Sequence, residues 1–120
     1  MRVGAGSTDV SVDIRAMTSA GVALDGKQAA DFTLWYRRDG AKVAISLSDL
    51  SELTDAHSDG GLLFVDDGWY RLDVPDAAFA AGALRVAIGG SVDGGVVLSA
   101  PISLDAGNIT FEVQDITVED

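Results

Sequence analysis

Asp66-Asp67-Gly68-Trp69-Tyr70-Arg71-Leu72 is the stretch that decides how this chain folds. The D-x-G-x-Y spacing of Asp66, Gly68 and Tyr70 is that of a tyrosine corner, where a tyrosine near the start of a strand sends its hydroxyl back to upstream backbone. Disulfide-bonded versions of that corner carry a cysteine two residues after the tyrosine. Leu72 holds the place here, which predicts a β-sandwich that relies on packing. Beyond the corner, Tyr70, Leu72 and Val74 share one pleat and Trp69, Arg71 and Asp73 the other. Pro75, which has no N–H for a sheet ladder, ends the strand.

Outward from this corner the period of two recurs. Val10, Val12 and Ile14 alternate with Ser11, Asp13 and Arg15, and a short strand is expected around Val22 to Leu24. Phe32 to Tyr36 and Val43 to Leu47 flank Asp39-Gly40, so Asp31 to Leu47 reads as a hairpin closed by a two-residue turn, with Arg37, Arg38 and Lys42 at its tip. Asp49-Leu50-Ser51-Glu52 has the form of a capping box and predicts one helical turn before a Ser-, Asp- and Gly-containing loop. Leu62 to Val65 is a short apolar strand. Asp76 is placed to cap a short turn, Ala77 to Ala81, closed by Gly82. Leu84, Val86 and Ile88 lead into an expected Gly89–Gly95 turn, and Val96 to Leu104 returns with Pro101 at an edge or bulge. Ile109, Phe111 and Val113 form a last strand, with Ile116 and Val118 continuing the alternation. Some eight short strands with little helix specify an all-β fold, a single antiparallel sandwich, Ig-like or jelly-roll, with one or two helical turns. One domain spans residues 1–120, its core about 9–113, with arms 1–8 and 114–120 that order on docking.

The 120 residues suffice for one core, and a 48% hydrophobic content excludes a disordered chain. Nineteen acidic against eight basic residues give a net charge of −11, which repels nucleic acid and anionic membranes, so neither is an expected partner. The absence of cysteine excludes disulfides and thiolate metal sites. Met1 to Ser7 lacks the apolar run of a signal peptide, and no stretch has the length to span a bilayer as a helix.

Little points to catalysis. His57 is the sole histidine, set between Asp55 and Asp59, and reads as a solvated loop residue, because a Ser-His-Asp triad needs its groups oriented by separate elements. Asp55-x-His57-x-Asp59-Gly60, with Asp66 further on, partly mimics a calcium loop. A histidine at the third position, Asp in place of the final Glu and a following strand favour a polar turn, and no metal or cofactor is expected. Adjacent carboxylates such as Asp66 and Asp67 diverge to opposite faces. Gly89, Gly90, Gly94 and Gly95 lack the order of a dinucleotide site. Trp35 and Trp69 fall on the pleat opposite the apolar set. Exposed aromatics beside arginine are typical of interfaces or carbohydrate platforms, whereas the expectation for Trp35 is a core tryptophan packed near Tyr70.

The order of "ADFTLWYRRDGAKVAISLSDLSEL", "DAHSDGG" and "DDGWYRLDVPDAAFAAGALRVAIGG" resembles the β-sandwich modules of tailed-phage and prophage virion proteins, over about Asp9 to Leu104. The resemblance implies a non-enzymatic virion component, assembled in the host cytoplasm. The family's modules are often appended to longer fibres, whereas this chain begins at Met1 and stops soon after the sandwich. The expectation is therefore a capsid cement or decoration protein that bridges capsid subunits. The alternatives are a tail, baseplate or head-fibre module, and then a carbohydrate- or receptor-binding sandwich. Its implied partners are the major capsid protein or another virion protein, with further copies of itself in the particle. Candidate interface residues are Trp35, Arg37, Arg38, Trp69 and Arg71.

Overall fold

The computed structural model describes residues 1–105, and the chain there is all-β, with two single 3-10 turns at Ala29–Asp31 and Asp76–Phe79. Its strands are β1 (Arg2–Gly4), β2 (Ser11–Met17), β3 (Phe32–Arg37), β4 (Val43–Ala44), β5 (Ser48–Asp49), β6 (Gly61–Asp66), β7 (Trp69–Asp73), β8 (Arg85–Val92), β9 (Gly95–Ser99) and β10 (Ile102–Asp105). The expected strand Ile109–Val113 and its continuation lie outside the described residues.

Hydrogen bonding runs β1-β10-β8-β9-β2-β7-β6-β5, with β3 joined to β8 and β4 to β3. Most neighbours are antiparallel; β1 with β10 and β5 with β6 are parallel. Strand β8 is shared. Its first residues pair with β10, Ala87 to Val92 pair with β3, and Ser91 and Val92 also pair with β9. Past that point β9 leaves for β2, so the β8–β9 hairpin joins two layers, β4-β3-β8-β10-β1 and β9-β2-β7-β6-β5. The layers face each other across one core. Phe32, Leu34, Tyr36, Val86, Ile88 and Ile102 from one meet Ile14, Ala16, Leu62, Tyr70 and Leu72 from the other. The Phe32 and Tyr70 rings, on strands that never pair, meet edge to face at 5.0 Å.

The inward pleat is the expected one, with Tyr70, Leu72 and Val74 fully buried. Several connections differ from the sequence reading. Asp66 pairs with Trp69, so Asp67 and Gly68 are the two loop residues of a β6–β7 hairpin, both with positive φ (46° and 77°), as a primed turn requires. The presumed corner is thus a tight hairpin turn within one layer. The Tyr70 hydroxyl does reach upstream backbone, but far along the chain: it donates to the Leu24 carbonyl at 2.6 Å and accepts from the Lys27 amide at 2.9 Å. It pins the β2–β3 connection over the end of the core.

The β3–β4 pairing is confined to Trp35 with Ala44 and Tyr36 with Val43, so residues 38–42 form a longer loop than an Asp39-Gly40 turn. No helical turn forms at residues 49–52. The Asp49 carboxylate instead accepts from the Ala29 amide at 2.7 Å, and Asp55 accepts from the Ser51 and Glu52 amides, which hold its carboxyl below the ordinary value. Gly89 and Gly90 lie within β8, and the turn is Asp93-Gly94 alone. Residues 22–24 contribute a single bridge, Met17 with Ala23. The N-terminal arm is ordered as β1 on the edge beside β10, because Val3 buries in the core and the backbone finds a parallel partner.

Candidate functional site

Alternation that sends Phe32, Leu34 and Tyr36 inward sends Trp35 and Arg37 outward from β3, and the same rule sends Trp69 outward from β7. Since the inward faces of these strands oppose each other, the two tryptophans sit on opposite outer faces of the sandwich. Trp35 is therefore not the core tryptophan; Phe32, Phe64 and Tyr70 fill that space. It is half-buried because Gly89, its partner on β8, leaves room for its ring: a Cβ there would lie 2.4 Å from the indole. The Arg37 guanidinium and Lys42 ammonium stand 5.7 and 5.3 Å from the ring centre, within cation–π range.

The second platform is built across three strands. Arg15 on β2 pairs with Trp69 of β7 on one side and Leu98 of β9 on the other, forming a row across the outer face. The Arg15 guanidinium stands 5.4 Å from the Trp69 ring and binds the Asp67 carboxylate at 3.2 Å, so turn, cation and aromatic hold one another. Trp69 is 40% exposed and Leu98 51% exposed, with Val96 of β9 exposed beside them. Two adjoining hollows of about 270 and 280 Å³ share Asp13, Trp69, Ser99 and Ala100. Both are lined mainly by apolar surface, each with the single carboxylate of Asp13, and the first reaches in to the core residue Ile88.

The other two interface candidates are committed to the fold. Arg38 donates to the carbonyls of Ala77, Ala80 and Ala81, closing the end of the 3-10 turn Asp76–Phe79. Arg71 donates to Asp73 at 2.7 and 2.9 Å and to the carbonyls of Leu53 and Asp55 at 2.9 and 3.0 Å, so it ties the 51–60 loop to β7. Asp73 is the one buried charged side chain among the described residues. Burial pushes its carboxyl up. The Arg71 guanidinium, the Ser11 hydroxyl at 2.6 Å and the Ser58 amide at 3.0 Å outweigh burial and leave it below the ordinary 3.8.

His57, expected in solvent, has a side chain only 8% exposed. Its Nε2 lies 3.1 Å from the Val74 carbonyl, and its Nδ1 faces Asp9 and Asp59 at 3.4 and 3.7 Å. The partners come from Asp9 and Val74, which local sequence around residue 57 does not contain. Asp76 lies in the same cluster, while Asp66 is at the far hairpin and takes no part, so a linear calcium loop is not assembled. Asp76 accepts from the Asp9 amide at 2.9 Å rather than capping its own turn.

No protein-family model, curated protein or solved structure matches this chain. No helix among the described residues is long and apolar enough to cross a membrane.

Proposed function

We propose that this protein is a non-enzymatic structural module that bridges neighbouring subunits of a larger assembly, and, on the sequence resemblance, that the assembly is a phage capsid which it decorates. The observation that supports bridging is the pair of cation–aromatic platforms, Trp35 with Arg37 and Trp69 with Arg15, on opposite outer faces of one sandwich. Aromatic and arginine side chains are the favoured anchors of protein interfaces. A molecule with one such anchor on each side gains avidity wherever a lattice fixes two partners at the matching separation. The strong negative charge disfavours contact with packaged nucleic acid and suits a position on the outer surface.

The test is quantitative mass spectrometry of purified virions together with a binding assay of two variants. The expected result is a fixed ratio to the major capsid protein. The variants Trp35→Ala/Arg37→Ala and Trp69→Ala should each detach from particles while retaining the β-sheet circular dichroism of the parent. Copies in small multiples of the tail symmetry would move the protein to the tail or baseplate. Absence from particles, or binding that survives both variants, would sink the proposal.

A further inference from the structure

We infer that Asp9, His57 and Asp76 form a binding site for a divalent transition-metal ion of the zinc class, with Asp59 at its margin. Three segments meet there: the turn before β2, the 51–60 loop and the junction of β7 with the 3-10 turn. One ligand atom from each of Asp9, His57 and Asp76 lies within 4.8 Å of the others.

The imidazole gives this cluster its meaning. A carbonyl oxygen only accepts, so the 3.1 Å contact with Val74 requires that Nε2 carry the proton. In neutral His57 the lone pair then sits on Nδ1, in a side chain more than nine-tenths buried, aimed at carboxylate oxygens of Asp9 at 3.4 Å and Asp59 at 3.7 Å. Lone pair against carboxylate is repulsive, and among the described residues no hydrogen-bond donor is paired with Nδ1. Something positive belongs between them. The backbone-carbonyl hydrogen bond on the far ring nitrogen is the arrangement that orients metal-ligating histidines.

The spacing favours an ion. Ligand atoms at the corners of a tetrahedron with bonds of about 2.0–2.1 Å are about 3.3–3.4 Å apart, matching the 3.4 Å between His57 Nδ1 and Asp9 Oδ1. Hydrogen bonds from the Asp9 amide to Asp76 and from the Asp76 amide to Asp59, at 2.9 and 3.3 Å, turn the carboxylates toward the imidazole. One imidazole with two carboxylates is a donor set for zinc rather than for calcium, which takes six to eight oxygens. The ion would fasten the segment before β2 to the 51–60 loop.

The experiment uses the full chain, stripped with chelator and titrated with zinc chloride, then separately with calcium chloride, followed by thermal unfolding and calorimetry. Zinc in hundredfold excess over its Kd should raise Tm by about 5 °C or more with one ion per chain. Asp9→Asn should abolish the shift. Asp9 is exposed and has φ 57°, a conformation asparagine tolerates, so this variant should fold where His57→Ala, which removes the Val74 contact, need not. No shift at millimolar zinc would overturn the inference. So would a zinc shift that persists in Asp9→Asn, a shift with calcium alone, or ring-nitrogen NMR showing His57 protonated at both nitrogens with zinc present.

Discussion

Tyr70 shows how a single hydroxyl organises a long connection. Its ring is fully buried between Phe32 and Phe64, and its oxygen serves two backbone groups of the β2–β3 segment. Tyr70→Phe keeps the ring and strands the Leu24 carbonyl and Lys27 amide, so it is expected to lower unfolding free energy by about 1–3 kcal/mol. Urea titration of the two proteins measures this; an unchanged midpoint would mean that water replaces the hydroxyl without loss. Asp73 predicts a pH effect. Its folded carboxyl titrates below the ordinary 3.8, so its contribution to stability is complete at neutral pH and is lost as pH falls through the lowered folded value. Asp73→Asn should therefore be less stable than the parent at neutral pH, and the gap should narrow as pH drops below 3.8. A gap that stays constant down to acid unfolding would contradict this. The return of the Tyr70 hydroxyl to upstream backbone was legible in the D-x-G-x-Y spacing, but its partners at Leu24 and Lys27 were not, nor was the role of Asp73. The pleat placed Asp73 outward, but the 51–60 loop covers that side of β7, and the covering depends on Arg71 reaching the Leu53 and Asp55 carbonyls.

At the level of elements, periodicity predicted strands well and connections poorly. The runs at β2, β3, β6, β7 and β8 were readable because one face of each is apolar, a constraint carried by the strand itself. Glycines misled, since two physical causes produce the same letter. Gly68 supplies a positive φ in a turn, whereas Gly89 lies mid-strand to clear space for Trp35. Gly89→Ala tests the second cause. Its Cβ would overlap the indole, which should swing toward solvent, red-shift tryptophan emission and destabilise the fold by about 1–3 kcal/mol. Unshifted emission would show that the β3–β8 pair can part without releasing the ring. The capping-box pattern at residues 49–52 failed for a different reason: Asp49 found a distant amide donor at Ala29, a competition that local sequence does not reveal.

For the whole molecule, an all-β architecture with two facing layers followed from strand count and the scarcity of helix signals. The order of strands did not, because β8 pairs with three others, and only the three-dimensional arrangement decides which stretch of it meets which neighbour. The site was half legible. Trp69 could be placed on the outward pleat and Arg37 near the hairpin tip, but Trp35 was expected in the core, and the separation of the two tryptophans onto opposite faces depends on the fold-over at the β8–β9 hairpin. The Asp9–His57–Asp76 cluster joins residues up to 67 positions apart, as the Asp9–Asp76 bond shows, and no local motif encodes that.

The parallel contact of β1 with β10 carries a mechanical consequence. Arg2 to Gly4 lie in register with Ser103 to Asp105, near opposite ends of the described chain. Tension applied at those two ends pulls the strands along their common axis in opposite directions. The ladder bonds are then loaded together in shear, instead of opening one by one as an antiparallel terminal pair would. Stretching by optical tweezers should give an unfolding force that drops sharply when Val3→Pro removes the edge strand's fit in the core.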